Sequence, residues 1–440
     1  MRNVYLSFLG LGKRQADGSH AYDPAIYELN GRKSKVTSFV QAAEYELLGA
    51  DRFDMAIIID TEKSHQANYK TLETELLSQG AANIHPLTIE EEMTAHGQWQ
   101  WFEAILNCIE PGDRLTVDLT HGYRAAPIIF SAAINFLQKS RNIQLEAVYY
   151  GVFEKVTSLG YAPIIDMKAF YAINEWAEAV SRLVEDADAR KLARVAEATP
   201  YFQFGDLNDE KLILAFRQLT DTIKNVDVNN VAEKTKTAIA LIRQKQQYAS
   251  QPARVLLGLV TDKFIALSSQ APLSGKYDQT YFQIQVALIR LLLEHRLFMQ
   301  AYTVMREFIA SLGMIGFERE GMNSRKRKKR RKVHAEIFVK MVQHEEKDWN
   351  FPPYQKEFVD RMKPYYRLLE EHGIEKQIRG IASDLADYRN GFDHAWTCKA
   401  KAYADIEAKG DLFLKQIEEI MRHMDHQGLL GNYPADQKPE

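Results

Sequence analysis

The sequence predicts two fold classes in one chain, an α/β domain with a parallel sheet followed by an all-α domain. Three observations carry this. Up to about residue 168, short apolar runs alternate with helical patterns. Beyond Phe170, apolar residues recur only at helical spacing. The 440 residues suffice for two or three domains, each able to bury its own core.

In order, Val4–Leu9, Met55–Ile59, Leu115–Leu119 and Leu145–Tyr150 read as strands, with a weaker one near Ile84–Leu87. Helical patterns fall between them at 38–49, 67–79, 90–109 and 125–140. Strands joined through helices of this length imply right-handed crossovers and a Rossmann-like parallel sheet. Glu154–Met167, turning at Leu159-Gly160-Tyr161, reads as a hairpin. The all-α part begins with 170–198 and continues with helices expected at 208–224, 227–249, 252–269, 280–312, 354–371, 375–391 and 399–426. Polar Gln427–Glu440 reads as a frayed tail.

Composition narrows the class. Hydrophobic residues at 46% and charged residues at 26% match soluble globular proteins, and a formal net charge of -3 implies no general affinity for nucleic acid. Cys108 and Cys398 form neither a disulfide framework nor a paired metal motif, which points to a reducing interior. Met1–Gly12 reads as a strand rather than a signal peptide, and the apolar run Ala125–Leu137 is too short to span a bilayer. A cytoplasmic protein with no membrane partner is expected.

Open parallel sheets bind ligands beyond the carboxyl ends of their strands. Ser7-Phe8-Leu9-Gly10-Leu11-Gly12 ends the first strand, and Asp118-Leu119-Thr120-His121-Gly122-Tyr123-Arg124 joins the fourth strand to its helix. Glycines admit a ligand to the backbone, Thr120 and His121 offer hydrogen bonds, and Arg124 offers a bidentate phosphate contact. Gln15 stands where a dinucleotide fingerprint needs glycine, and Ser7 and Arg14 break a P-loop. A tight turn with a structural histidine is the plainer alternative.

The segment Asp118–Arg124 resembles the Asp-x-Thr-His-Gly signature of CRISPR-associated proteins with a CARF domain. Leu6–Gly10 and Tyr149–Glu154 fit the same pattern. The resemblance implies a Rossmann-like homodimer that binds a cyclic oligoadenylate across its twofold axis, with the tetra-adenylate ring expected ahead of the hexa-adenylate. Carried over residue by residue, it puts Ser7, Gly10, Gly12, Thr120, His121, Gly122 and Arg124 at the ligand.

Late in the helical part comes Tyr388-Arg389-Asn390-Gly391-Phe392-Asp393-His394-Ala395. By itself this reads as an exposed helix with an Arg389–Asp393 ion pair. Gly391 costs up to about 1 kcal/mol in a helix, so a reason to keep it is expected. His394 shares a face with Asn390, whereas Arg389 lies about 140° away on an ideal helix. One copy would therefore converge the pair poorly on one phosphate, and two facing copies would relieve this.

The segment resembles the Arg-x4-6-His motif of HEPN ribonucleases. That implies a helical, dimerising nuclease domain cutting single-stranded RNA without a metal cofactor. In that family the 2′-hydroxyl attacks the adjacent phosphate, leaving 2′,3′-cyclic phosphate and 5′-hydroxyl ends. Arg389 would stabilise the phosphate, His394 would transfer the proton, and Asn390 would assist. The two resemblances together give a CARF sensor at 1–168, a helical connector at 169–200 and a HEPN domain at 201–426. A basic insertion is expected at 319–334 and a flexible tail at 427–440. Such a protein would be a homodimer or a higher oligomer serving type III CRISPR defence. Two alternatives stay open: a ligand-gated RNA-binding protein that does not cut, and a sensor that also degrades its ring through Ser7 or Thr120.

The run Arg325-Lys326-Arg327-Lys328-Lys329-Arg330-Arg331-Lys332 reads either as a solvated loop or as an RNA-attracting arm. Trp99, Trp101 and Phe102 read as core packing against the sheet. His423 and His426 read as a solvated helix end rather than metal ligands.

Overall fold

The computed structural model describes residues 1–91, 94–121, 126–198, 207–268, 277–315, 325–397 and 405–430. The chain divides into two compact units, Met1–Asn174 and Glu175–Glu440.

The first unit is built on ten strands: β1 (Asn3–Phe8), β2 (Lys13–Arg14), β3 (His20–Ala21), β4 (Tyr27–Leu29), β5 (Arg32–Lys33), β6 (Met55–Thr61), β7 (Ile84–Ile89), β8 (Arg114–Asp118), β9 (Gln144–Gly151) and β10 (Ala162–Asp166). Its helices are α1 (Val40–Leu48), α2 (Glu62–Ser64), α3 (Lys70–Ser78), α4 (Ala95–Cys108), α5 (Ala126–Ser140) and α6 (Val156–Leu159). Eight strands form a mostly parallel sheet in the order β5-β4-β10-β9-β8-β1-β6-β7, while β2 and β3 pair separately. The strands β7, β6, β1, β8 and β9 run parallel.

The inner strands are largely apolar because both faces are covered, whereas edge strand β7 is mixed, with His85, Pro86 and Thr88 exposed. Val4, Leu6, Phe8, Ile57, Ile59, Leu115 and Val117 pack against α4 and α5. Tyr5, Ala56 and Ile58 face α1 and α3. After β7 the chain crosses back to place β8 on the other side of β1, so the order reverses between β1 and β8. That reversal opens the crevice in which such sheets take ligands.

Two carboxyl groups lie inside this core. Glu44 on α1 and Asp118 on β8 are both fully buried. Glu44 accepts the Tyr5 hydroxyl at 2.7 Å through Oε2, while its Oε1 is buried without a partner among the described residues. Burial first, and Asp118 second, push the Glu44 carboxyl well above its usual range. The folded chain thus holds a proton that the unfolded chain releases. The stability this brings is present below the unfolded pKa of about 4.3 and is lost as pH rises toward the folded value. Glu44→Gln should therefore raise the melting temperature more at pH 8 than at pH 5. Melts of both proteins across that range would show it, and an equal shift at every pH would contradict it.

The second unit is helical. α7 (Lys168–Asp186) begins in the first unit and ends in the second. There follow α8 (Arg190–Ala198), α9 (Glu210–Lys224), α10 (Val231–Gln246), α11 (Gln251–Phe264), α12 (Gln279–Glu294), α13 (Phe298–Leu312), α14 (Arg325–Gln343), α15 (Lys356–Glu371), α16 (Ile374–Asp393) and α17 (Ile406–His426). α12, α13, α16 and α17 pack together, with Tyr302 of α13 between Tyr388 and Phe413 and its hydroxyl bonded to the Ile406 carbonyl at 2.7 Å.

Several expectations need correction. The helix expected at 280–312 breaks because Arg296 adopts φ 55. Leu297 N–H then bonds Leu292 O at 2.8 Å and Arg296 N–H bonds Leu293 O at 2.9 Å, a Schellman stop. The helix expected at 170–198 breaks at Ala187, φ 49. In the expected hairpin at Glu154–Met167 the first arm is instead helical: α6 ends at Gly160, φ 75, and β10 pairs back on β9. The basic run is the start of α14 rather than a loop, although its side chains lie outside the described residues. Trp101 is buried as expected, but Trp99 is 64% exposed. Of the helix expected at 399–426, residues 399–404 lie outside the described chain, as does the tail beyond 430.

Among the described residues no helix is long and apolar enough to cross a membrane, and no three His, Cys, Asp or Glu side chains group as a metal site. His423 Nδ1 faces Gln377 Oε1 at 3.2 Å.

Candidate functional site

At the β1–β8 crevice, Asp118 closes β8 and organises the loop beyond it. Its Oδ2 accepts the Ser7 hydroxyl at 2.6 Å, and its Oδ1 accepts both the Thr120 backbone N–H, at 2.9 Å, and the Thr120 hydroxyl. Gly151 N–H at the end of β9 donates to Thr120 Oγ1 at 2.7 Å. Burial pushes the Asp118 carboxyl up, against the hydrogen bonds from Ser7 and Thr120 that favour its ionised form. The carboxylate thus ties three adjacent strand ends into one rigid floor.

Ser7 is fully buried and also receives Gln41 Nε2 at 3.0 Å. It supports Asp118 from beneath. The Thr120 hydroxyl is likewise engaged on both sides, which fixes the turn that carries His121. His121 lies with its ring 4.4 Å from that of Tyr22, a residue the sequence did not single out. Burial lowers the His121 imidazole to about 4, so it is neutral at physiological pH. Its Nε2 is buried without a hydrogen-bond partner among the described residues. An unpaired buried nitrogen at a strand-end crevice is the feature a polar ligand would satisfy.

The two glycines after β1 have separate reasons. Gly10 needs space, because a Cβ there would stand 2.9 Å from the Tyr22 hydroxyl. Gly12 needs conformation as well, with φ 73 and a Cβ position 2.5 Å from the Ala21 carbonyl. Gly122 and Arg124 lie outside the described residues.

In the second unit, Arg389 lies four residues before the end of α16 and His394 is its C-cap. Arg389 Nε stands 3.5 Å from Asp393 Oδ2, the four-residue ion pair expected from the spacing. Asn390 and His394 are exposed. The helix stops in a Schellman motif, with Trp396 N–H on Gly391 O at 2.7 Å and Ala395 N–H on Phe392 O at 3.2 Å. Ala395 and Trp396 both take left-handed conformations, φ 48 and 58, which cost about 1–2 kcal/mol apiece without glycine. The Trp396 ring packs edge-on to Phe392 at 5.1 Å and lies over Gly391. That contact explains the helical glycine. A Cβ on Gly391 would stand 2.6 Å from Trp396 Cζ3. The turn therefore holds His394 at the exposed end of the helix, just beyond Arg389.

No family model matches the chain. The CRISPR-associated protein MJ1674 of Methanocaldococcus jannaschii is 22% identical over 213 residues, 47% of this chain. The match spans 30% of that relative's length. Among solved structures, Enterococcus italicus Csm6 bound to cyclic hexa-2′-fluoro-hexa-dAMP aligns with a TM-score of 0.46 at 9% identity, covering 98% of this chain and 97% of that one. At that score the overlay says nothing of function.

Proposed function

We propose that the chain is a cyclic oligoadenylate-gated endoribonuclease of CRISPR antiviral defence, working as a cytoplasmic homodimer. The observation that carries the sensing half is the Asp118–Thr120–Gly151 clamp at the sheet's reversal point, with the unpaired His121 Nε2 above it. Likeness to a CRISPR-associated protein supports the biological setting. Gly10, Gly12, His121, Gly122 and Arg124 would contact the ring, with the neutral His121 imidazole giving a hydrogen bond rather than a charge.

In the second unit, Arg389 binds the scissile phosphate and stabilises its growing negative charge. The RNA 2′-hydroxyl attacks the adjacent phosphorus and forms the 2′,3′-cyclic phosphate. The bond to the 5′ oxygen breaks, and that oxygen takes a proton from His394. Asn390, exposed one turn before His394, assists at the phosphate. The reaction needs no cofactor. Two copies supply a full site, and an exposed apolar patch in the first unit supports dimerisation. Ile128 and Phe136 on α5 and Trp99 on α4 are exposed, and half-buried Phe102 packs 5.5 Å from Trp99 and 5.8 Å from Phe136. The basic start of α14 is the arm that draws in RNA.

The Arg389–Asp393 ion pair favours a second reading, in which the helices bind RNA under ligand control without cutting. One experiment separates them: labelled single-stranded RNA with chelator, alone and with cyclic tetra- or hexa-adenylate. Ring-dependent cleavage, stronger with the tetra-adenylate, is expected. Binding without cleavage for both rings would select the second reading.

A further inference from the structure

A second polar centre stands beside the strand ends, and neither the sequence motifs nor the proposed site includes it. Asp60, near the end of β6, is 1% exposed. Both its oxygens are engaged: Oδ1 accepts the Thr88 hydroxyl from β7 at 2.8 Å, and Oδ2 lies 2.7 Å from His65 Nδ1. A buried carboxylate facing Nδ1 keeps a proton on that nitrogen. In the tautomer this contact selects, Nε2 is the acceptor.

The histidine is fixed from its other side as well. It opens a single π-helical segment, His65–Tyr69, a form of turn that recurs at functional sites. Its ring stacks on Tyr69, with centroids 4.5 Å apart and planes 12° apart. The side chain nevertheless remains 38% exposed. Asn68 of the same turn donates to both Gly10 O and Leu11 O at 3.0 Å, which joins this centre to the loop after β1. Between them opens a cleft of about 220 Å³, apolar at Phe8, Leu11, Ile59 and Ile89 and polar at Asp60 and Thr61.

We infer that the ligand's footprint extends from the β1–β8 crevice over the end of β6, where the apolar cleft takes a purine base and His65 Nε2 accepts a ribose 2′-hydroxyl. This rests on the oligoadenylate reading and adds a specificity to it. An acceptor held by a buried carboxylate distinguishes a ribonucleotide ring from its 2′-deoxy counterpart, because only the former brings the donor.

The test is a binding cycle with full-length protein. Cyclic tetra-adenylate and its all-2′-deoxy analogue are titrated against wild type, His65→Ala and His65→Gln. Wild type should prefer the ribose ring, and His65→Ala should shrink that preference about tenfold, with the deoxy ring bound nearly as before. His65→Gln, which offers an amide oxygen, should restore part of it. Equal losses for the two rings, or no loss in His65→Ala, would overturn the inference while leaving the sensor reading intact. A wild type that binds only the hexa-adenylate is read with the ribose and deoxy forms of that ring, and a wild type that binds no ring overturns both.

Discussion

His394→Ala should lower ring-stimulated RNA cleavage by about 10³-fold, within the range for loss of a general acid. Arg389→Ala should cost about 10²–10³-fold, as expected when a donor to developing phosphate charge is removed. Neither change should unfold the protein. The His394 side chain is exposed at the helix C-cap, and Arg389 gives up an exposed ion pair of a kind usually worth about 0–1 kcal/mol. Ring affinity, measured by calorimetry, should match wild type in both variants, because the substituted side chains belong to the second unit and the proposed ring contacts to the first. Arg389→Lys should recover only part of the loss, since a lysine keeps the charge but not the fork. Cleavage near the wild-type rate in either alanine variant would remove the pair from the chemistry. A mixed dimer of wild-type and double-mutant chains sharpens the point: a composite site predicts far less than half of the wild-type rate.

Four of the five parallel strands were legible because burial on both faces makes them largely apolar runs, as in Met55–Ile59; edge strand β7 read only weakly because His85, Pro86 and Thr88 interrupt it. The four short strands between Lys13 and Lys33 were not, since pieces of two or three mixed residues carry no period. Most long helices were legible, α14 apart because its basic start read as a loop, but several helix stops were not. Ala187, Arg296 and Ala395 each turn left-handed where glycine would have announced the stop. The pairing of neighbours, not the residue itself, holds them there. The same limit applies at the candidate sites. Spacing drew attention to Gly391, yet its cause is Trp396, whose backbone conformation no pattern signals. Ser7 and Thr120 stood out for hydroxyls that the fold turns inward onto Asp118. His65 had no motif around it, and only the sheet brings Asp60, Thr88 and the loop after β1 to its side.

Gly391 gives the second large effect, and there two energies oppose each other. Helix propensity alone says that alanine at this position stabilises α16 by up to about 1 kcal/mol. The new methyl would, however, stand 2.6 Å from Trp396 Cζ3 and 2.8 Å from Cε3, so the indole must leave its seat. Overpacking of this kind costs about 1–3 kcal/mol and cancels or exceeds the helical gain. The melting temperature should therefore fall only slightly. The catalytic consequence should be larger, because the displaced indole no longer holds the Schellman turn that sets His394 at the helix end. Misplacement by about 1 Å is enough to cost about 10²-fold in rate. Gly391→Ala should accordingly lose most of its kcat at saturating ring and RNA, with ring affinity unchanged. Trp396→Ala should lose a similar factor, and the double variant little more, since both changes release the same turn. If Gly391→Ala cleaves at the wild-type rate, Trp396 does not position His394. The glycine would then be explained by packing alone.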